Sequence, residues 1–144
     1  MSSILIANAE SDADILRCFP VMAQLRPHLI ETEFVARVRR MQAGDFHLAR
    51  LEEDGVVCAV AGYRFHEKLF CGRSLYVDDL VSSGTRRSKG HGARLLAWLV
   101  EQARARDCEL FELDSGVQRF DAHRFYFRER MKIASYHFTL PLKG

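Results

Sequence analysis

Phe46-His47-Leu48-Ala49-Arg50-Leu51 alternates apolar and polar positions with a period of two, which predicts a half-buried β-strand. The turn Glu53-Asp54-Gly55 and the run Val56 to Phe65 extend it to a hairpin, and Ser74 to Val81, after a weaker turn at Gly72-Arg73, completes an antiparallel meander. Ile4 to Ala7 reads as an earlier strand. Between them the period changes. Ile15, Leu16, Phe19, Met22 and Leu25 predict one helix kinked or divided at Pro20, capped by Ser11 or Asp12. A second helix opens at Glu31 or Thr32, carries Phe34, Val35, Val38 and Met41 on one face, and ends at Gly44. From Gly90 to Asp107, Leu95, Leu96, Leu99, Val100 and Ala103 keep the 3.6-residue period of a helix, followed by a strand over Cys108 to Leu113. Strand, loop, helix and strand in that order imply a crossover between two parallel strands. A helix over Gln118 to Arg130 and a terminal strand over Ile133 to Leu140 complete the expected elements.

With 144 residues, 48% of them hydrophobic and 28% charged, the chain is expected to form a single soluble α/β domain over residues 1–144. A net charge of +2 does not suggest a nucleic-acid surface. The positive charge is local instead, because Ser82 to Arg94 holds Arg86, Arg87, Lys89 and Arg94 without an acidic residue. Cys18, Cys58, Cys71 and Cys108 are scattered, with neither a C-x-x-C pair nor a histidine at metal-ligand spacing, so free thiols and no metal are expected. Nothing near the start reads as a leader, and no apolar stretch approaches the ~18 residues of a membrane span, so a cytoplasmic protein is expected.

The chemistry concentrates in Leu80 to Leu96, LVSSGTRRSKGHGARLL. Arg87-Ser88-Lys89-Gly90-His91-Gly92 is an R-x-x-G-x-G string, whose glycines let backbone N–H groups approach a ligand closely. If a helix begins near Ala93, its unpaired N–H groups and positive dipole end face the loop and favour a phosphate. Two nucleotide-binding classes fail on spacing. A dinucleotide fingerprint needs G-x-G-x-x-G, and a P-loop needs Gly-Lys followed by Ser or Thr, whereas the order here is Ser88-Lys89-Gly90.

The order β-α-α-β-β-β, basic glycine loop, α-β-α-β resembles the GCN5-related N-acetyltransferase superfamily over nearly the whole chain. Leu80-Val81-Ser82 before Arg87-Ser88-Lys89-Gly90-His91-Gly92-Ala93, together with Ala122-His123-Arg124-Phe125-Tyr126, carries the resemblance. It implies a mixed central sheet flanked by helices and splayed between the strand before the loop and the strand after the next helix, where the pantetheine arm of acetyl-CoA enters. Transferred residue by residue, Leu80, Val81 and Ser82 would meet pantetheine. Arg87, Ser88, Lys89, Gly90, His91, Gly92 and Ala93 would wrap the pyrophosphate, and Arg119 stands where many members have asparagine. Ser88 replaces a frequent glycine, Ser82 a β-branched residue, and Arg130-Met131 the usual Gly-Phe, which strains Arg130 if that turn needs a positive φ.

The same resemblance implies direct acetyl transfer to an amine, without metal or covalent enzyme intermediate. Tyr126 matches the tyrosine near the cofactor sulfur, the general acid for the leaving thiolate; as a residue alone it is equally a core aromatic. Asp78 and Asp79, adjacent on a strand, should point to opposite faces. Diamine acetyltransferases carry two acids here, and the first, Asp78, is the implied base, acting through water; either aspartate could instead bond backbone near a bulge. His123 and Glu112 are weaker candidates.

The acceptor opening, read onto Phe19 to Phe34, Glu67 to Ser74 and Ser115 to Phe120, mixes charges and gives no preference. A small-molecule amine is favoured over a protein lysine or N-terminus, since no long insertion is evident. A non-catalytic acyl-CoA sensor is the rival, and nucleic acid and membrane are not expected partners. Self-association as a homodimer stays open.

Overall fold

The structure, a computed structural model, describes residues 2–86 and 89–144. Arg87 and Ser88 lie outside the described residues. The chain divides into two compact units, Met1–Leu113 and Asp114–Gly144.

The first unit runs β1 (Ile4–Asn8), α1 (Asp12–Arg17), α2 (Phe19–Leu25), α3 (Glu31–Gln42), β2 (Phe46–Glu53), β3 (Val56–Lys68), β4 (Gly72–Ser82), a 3₁₀ turn (Gly84–Arg86), α4 (His91–Ala105) and β5 (Leu110–Leu113). The helix predicted around Pro20 is divided rather than kinked. Pro20 falls in the first turn of α2, where a missing N–H leaves no bond unmade. Ser11 caps α1 by accepting from the Asp14 N–H at 3.1 Å. Asp54 and Gly55 both take positive φ, 53° and 81°, the backbone a two-residue β2–β3 hairpin demands.

The five strands lie in the order β1-β2-β3-β4-β5, antiparallel except for the parallel pair β4 and β5 joined through α4. Sheet alternation sends Phe46, Leu48 and Val60 into a core with Ile15, Met22, Phe34 and Val38 of α1 to α3. On the opposite face Tyr63 meets Trp98 of α4 edge-on, with centroids 6.4 Å apart. Leu95 and Leu99 of α4 are fully buried, each contributing about 1.5–3 kcal/mol by leaving water. This is the mixed, helix-flanked sheet the family resemblance implies.

The second unit carries α5 (Phe120–Arg128). Met131 N–H donates to Tyr126 O and Arg130 N–H to Phe127 O, both at 3.0 Å, closing the helix as a Schellman motif with Arg130 at φ 67°. The strain anticipated for the Arg130-Met131 departure is present. The terminal strand expected over Ile133 to Leu140 is not formed: residues 131–144 are in neither helix nor strand. Tyr136, Phe138 and Leu140 alternate as a pleat would, yet they are 81–91% exposed. Alternation describes a surface that could be half-buried; a strand also needs a ladder partner, which local pattern does not supply.

Candidate functional site

β4 organises the site through a change of register. Gly62 of β3 lies opposite Asp79, and Tyr63 opposite Val77, which leaves Asp78 as the inserted residue of a β-bulge. On the other edge, pairing with β5 runs from Ser74 to Val77 and stops there. Asp79 to Ser82 therefore continue beyond β5, still paired with β3, and among the described residues no strand pairs with the second edge of Asp78 to Ser82. Leu80, Val81 and Ser82, the residues matched to pantetheine, stand on that open edge. Gln24 of α2 secures the exit of the strand, accepting from the Gly84 N–H at 2.8 Å while its amide reaches Ser83 Oγ at 3.4 Å.

The loop then feeds α4. Gly90 is its N-cap with φ 76° and ψ 15°, a left-handed conformation that strains any residue with a Cβ. The first α4-type bond at this end runs from Arg94 N–H to Gly90 O at 3.1 Å. Among the described residues, none accepts from the N–H groups of Lys89, Gly90, His91, Gly92 or Ala93. They lie at the positive end of a fifteen-residue helix, a setting that favours an anion.

His91 is not part of that surface. It is 4% exposed and turns into the protein, where Nε2 lies 3.2 Å from Glu53 Oε1. Hydrogen bonding from Ser2, opposed by burial and helped by His91, holds the Glu53 carboxyl below its ordinary value. The Cys58 thiol joins them, so that one donor atom from each of Glu53, Cys58 and His91 lies within 4.8 Å of the others. Sequence spacing could not reveal this cluster, because its members come from two strands and a helix start. His91 thus anchors the loop from beneath instead of lining it.

The bulge also corrects the expectation that Asp78 and Asp79 point to opposite faces. Tyr76, two residues before Asp78, shares a face with Arg64 and Phe46 by register, and Asp79 shares that face through Gly62 and Leu48. An inserted residue resets the alternation, so both carboxylates face α1 to α3. Arg64 donates from Nε to Asp78 Oδ2 at 2.9 Å, with its guanidinium 5.2 Å above the Phe46 ring. Asp79 is paired with Arg26 at 2.6 Å.

Beside Asp79 opens a cavity of about 220 Å³. Its walls are apolar, from Met22, Phe34, Val38 and Leu48, while Arg26, His28, Arg37 and Asp79 supply its polar groups. Asp78 is not among the lining residues. The sequence reading did not single out Arg37, which follows Phe34 by three positions and reads there as an ordinary polar position of α3.

In the second unit, Tyr126 lies partly buried on α5, with the Phe125 ring 5.4 Å away. Burial raises its phenol above the ordinary 10, against the opposing charge of Arg119, the N-cap of α5. The weaker candidates are engaged elsewhere. His123 Nε2 sits 2.8 Å from Gly116 O. Glu112 on β5 accepts from Lys68 at 2.7 Å and from Ser74; burial would raise its carboxyl, but these bonds prevail and hold it low.

Comparison with known proteins identifies the family. The family model for the acetyltransferase (GNAT) family matches residues 13–131. The chain belongs to the GNAT acetyltransferase family. An uncharacterised N-acetyltransferase of Bacillus subtilis is 35% identical over 126 residues, covering 86% of this chain and 89% of that one. Aminoalkylphosphonate N-acetyltransferase of Salmonella typhimurium is 35% identical over 88 residues, 61% of this chain and about half (55%) of its own length. Among solved structures, an aminoglycoside N-acetyltransferase in complex with CoA aligns with a TM-score of 0.85 at 13% identity, covering 100% of this chain and 97% of that one. Its likeness is one of fold. The chain is a GNAT N-acetyltransferase. Among the described residues, no helix is long and apolar enough to cross a membrane.

Proposed function

We propose that this chain transfers the acetyl group of acetyl-CoA directly to the amine of a small molecule. The observation that carries the reading is the pairing of an open β4 edge, Asp78 to Ser82, with amides from Lys89 to Ala93 at the start of α4 that have no acceptor among the described residues. Oriented amides at a helix start suit a diphosphate, and an unpaired strand edge suits the amide-bearing pantetheine arm. Leu80, Val81 and Ser82 hold that arm; Lys89, Gly90, Gly92 and Ala93 hold the phosphates, with Arg87, Ser88 and Arg119 assigned by the family pattern. His91, buried against Glu53, supports the loop and contributes its backbone N–H.

The thioester supplies an activated acetyl group. The amine nitrogen forms a C–N bond to the carbonyl carbon as the C–S bond breaks. The amine proton passes through water to Asp78, and Tyr126 gives its phenolic proton to the departing sulfur. A phenol held above its ordinary pKa is protonated at neutral pH, as an acid must be. Small acceptors are favoured by the compact cavity and by the Salmonella relative, whose name specifies an aminoalkylphosphonate.

Thermal unfolding tests the cosubstrate. Acetyl-CoA at 100 times its dissociation constant stabilises by about 2.7 kcal/mol, a rise of roughly 5–10 °C for a chain of this size. No rise would remove the reading. A screen of amines, corrected for acetyl-CoA hydrolysis, then tests transfer.

A further inference from the structure

We propose that the acceptor carries an anionic group as well as its amine, and that Arg37, assisted by His28, holds the anion while Asp79 holds the ammonium. The inference rests on the acetyl-transfer reading above and names the substrate class of the same site.

Charge balance is the first argument. The cavity is lined by two arginines, Arg26 and Arg37, and by one carboxylate, Asp79. Arg26 is spent, since its Nε and Nη2 lie 2.7 and 2.6 Å from Asp79 Oδ1. Among the described residues, Arg37 has neither a hydrogen-bond nor an ion-pair partner, and the same holds for His28. One fixed positive charge is thus left over at the mouth of a pocket with apolar walls. Arginine on an open helix surface is ordinarily solvated; here Arg37, though exposed, lines a cavity, and a guanidinium takes a carboxylate, phosphonate or phosphate by paired N–H donors.

Geometry supplies the second argument. Both contacts from Arg26 converge on Oδ1 of Asp79, leaving Oδ2 on the Gly62 and Phe46 side of the carboxylate as an acceptor for an ammonium. A cationic diamine would meet Arg37 as a like charge, whereas an amine with an anionic end meets an opposite charge at each pole. The volume sets the length. About 220 Å³ lies below the roughly 300–1,000 Å³ of pockets for drug-sized ligands, so the acceptor is compact. Sequence order had scattered these groups over segments of mixed charge; the fold collects them around one cavity.

The experiment compares 2-aminoethylphosphonate, O-phosphoethanolamine and β-alanine with ethanolamine and putrescine, as acetyl acceptors and as ligands by calorimetry, for the wild type and Arg37→Gln. The expected result is a kcat/KM at least tenfold higher for the best anionic amine than for ethanolamine or putrescine, with that ratio collapsing in Arg37→Gln chiefly through KM. The three anionic probes separate phosphonate, phosphate and carboxylate. Ethanolamine or putrescine used as well as every anionic amine would overturn the anion assignment and leave acetyl transfer standing. Calorimetric binding of an anionic amine, lost in Arg37→Gln, without acetylation of any amine would keep the assignment and overturn the transfer. Because Arg37 is exposed on α3, an unchanged melting temperature separates its loss from misfolding.

Discussion

Arg26 and Asp79 meet through a single oxygen: both guanidinium contacts, at 2.6 and 2.7 Å, fall on Asp79 Oδ1. The pair joins the end of α2 to the bulged strand β4, while the second carboxylate oxygen, Oδ2, lies on the Gly62 side. Its neighbour Asp78 is held by Arg64 from β3. Two adjacent acids thus have separate cationic partners.

Asp78→Asn is expected to lower kcat/KM by roughly 10²-fold, with the greatest loss at low pH, where an ammonium is hardest to deprotonate. Asp79→Asn should act mainly on the acceptor KM. Rate profiles from pH 6 to 9 check both; a loss in Asp78→Asn that is equal at every pH would remove it from the proton path.

Gly90 stands at φ 76°, and a Cβ there would touch nothing within 4 Å, so the penalty of Gly90→Ala is conformational, not steric. Left-handed backbone costs an L-residue about 1–2 kcal/mol. Relaxing the loop should turn its amides away and weaken acetyl-CoA binding by about tenfold, as titration calorimetry would measure.

For Tyr126→Phe, turnover is expected to fall by roughly 10²-fold or more while acetyl-CoA affinity stays nearly intact. Since burial raises the phenol, the wild type should show no alkaline loss from this group until above pH 10. A variant as fast as the wild type would take Tyr126 out of the acid role.

Glu52 accepts from Arg17 at 2.8 Å and from the buried Arg50 at 2.8 Å. The Arg17 hydrogen bond, against burial and together with Arg50, holds its carboxyl below the ordinary 4.5. A lowered folded pKa stabilises above the unfolded value, so this contribution is complete above about pH 4.5 and is lost as pH falls through the folded pKa. Glu52→Gln should cost roughly 2–3 kcal/mol at pH 7 by leaving Arg50 short of its partner, and should flatten the acid limb of a stability curve measured in urea.

Thiol chemistry should be selective. Burial, against the nearby Arg50 charge, pushes the Cys18 thiol up to about 12, and Cys58 is fully buried. Cys71 and Cys108 are partly exposed, and burial raises the Cys108 thiol. Alkylation of the native protein at pH 8 should therefore mark Cys71 first, Cys108 more slowly and Cys18 only after unfolding, as peptide mass mapping would show.

Much of the architecture was legible because it is local. The alternation over Phe46 to Leu51, the Asp54-Gly55 turn and the stripe of Leu95, Leu96 and Leu99 each carry their own period, and each became the expected strand, hairpin or helix. The positive φ of Arg130, just past the C-cap Glu129, was anticipated from the family resemblance, in which Arg130-Met131 replaces the usual Gly-Phe. Ile133 to Leu140 carries an equally clear alternation and forms no strand, because pairing is a relation to another segment.

What the sequence by itself determined is the order and kind of the elements as far as α5, the glycine loop before a helix, and through them the acetyltransferase family. The tertiary structure decided the rest: that a bulge turns Asp78 and Asp79 to one face, that His91 turns inward to Glu53 and Cys58, and that Arg26, His28, Arg37 and Asp79 share a cavity. Periodicity and turn chemistry act over a handful of neighbouring residues, whereas register and side-chain encounters join positions such as Arg26 and Asp79, 53 apart along the chain, and exist only once the strands are paired.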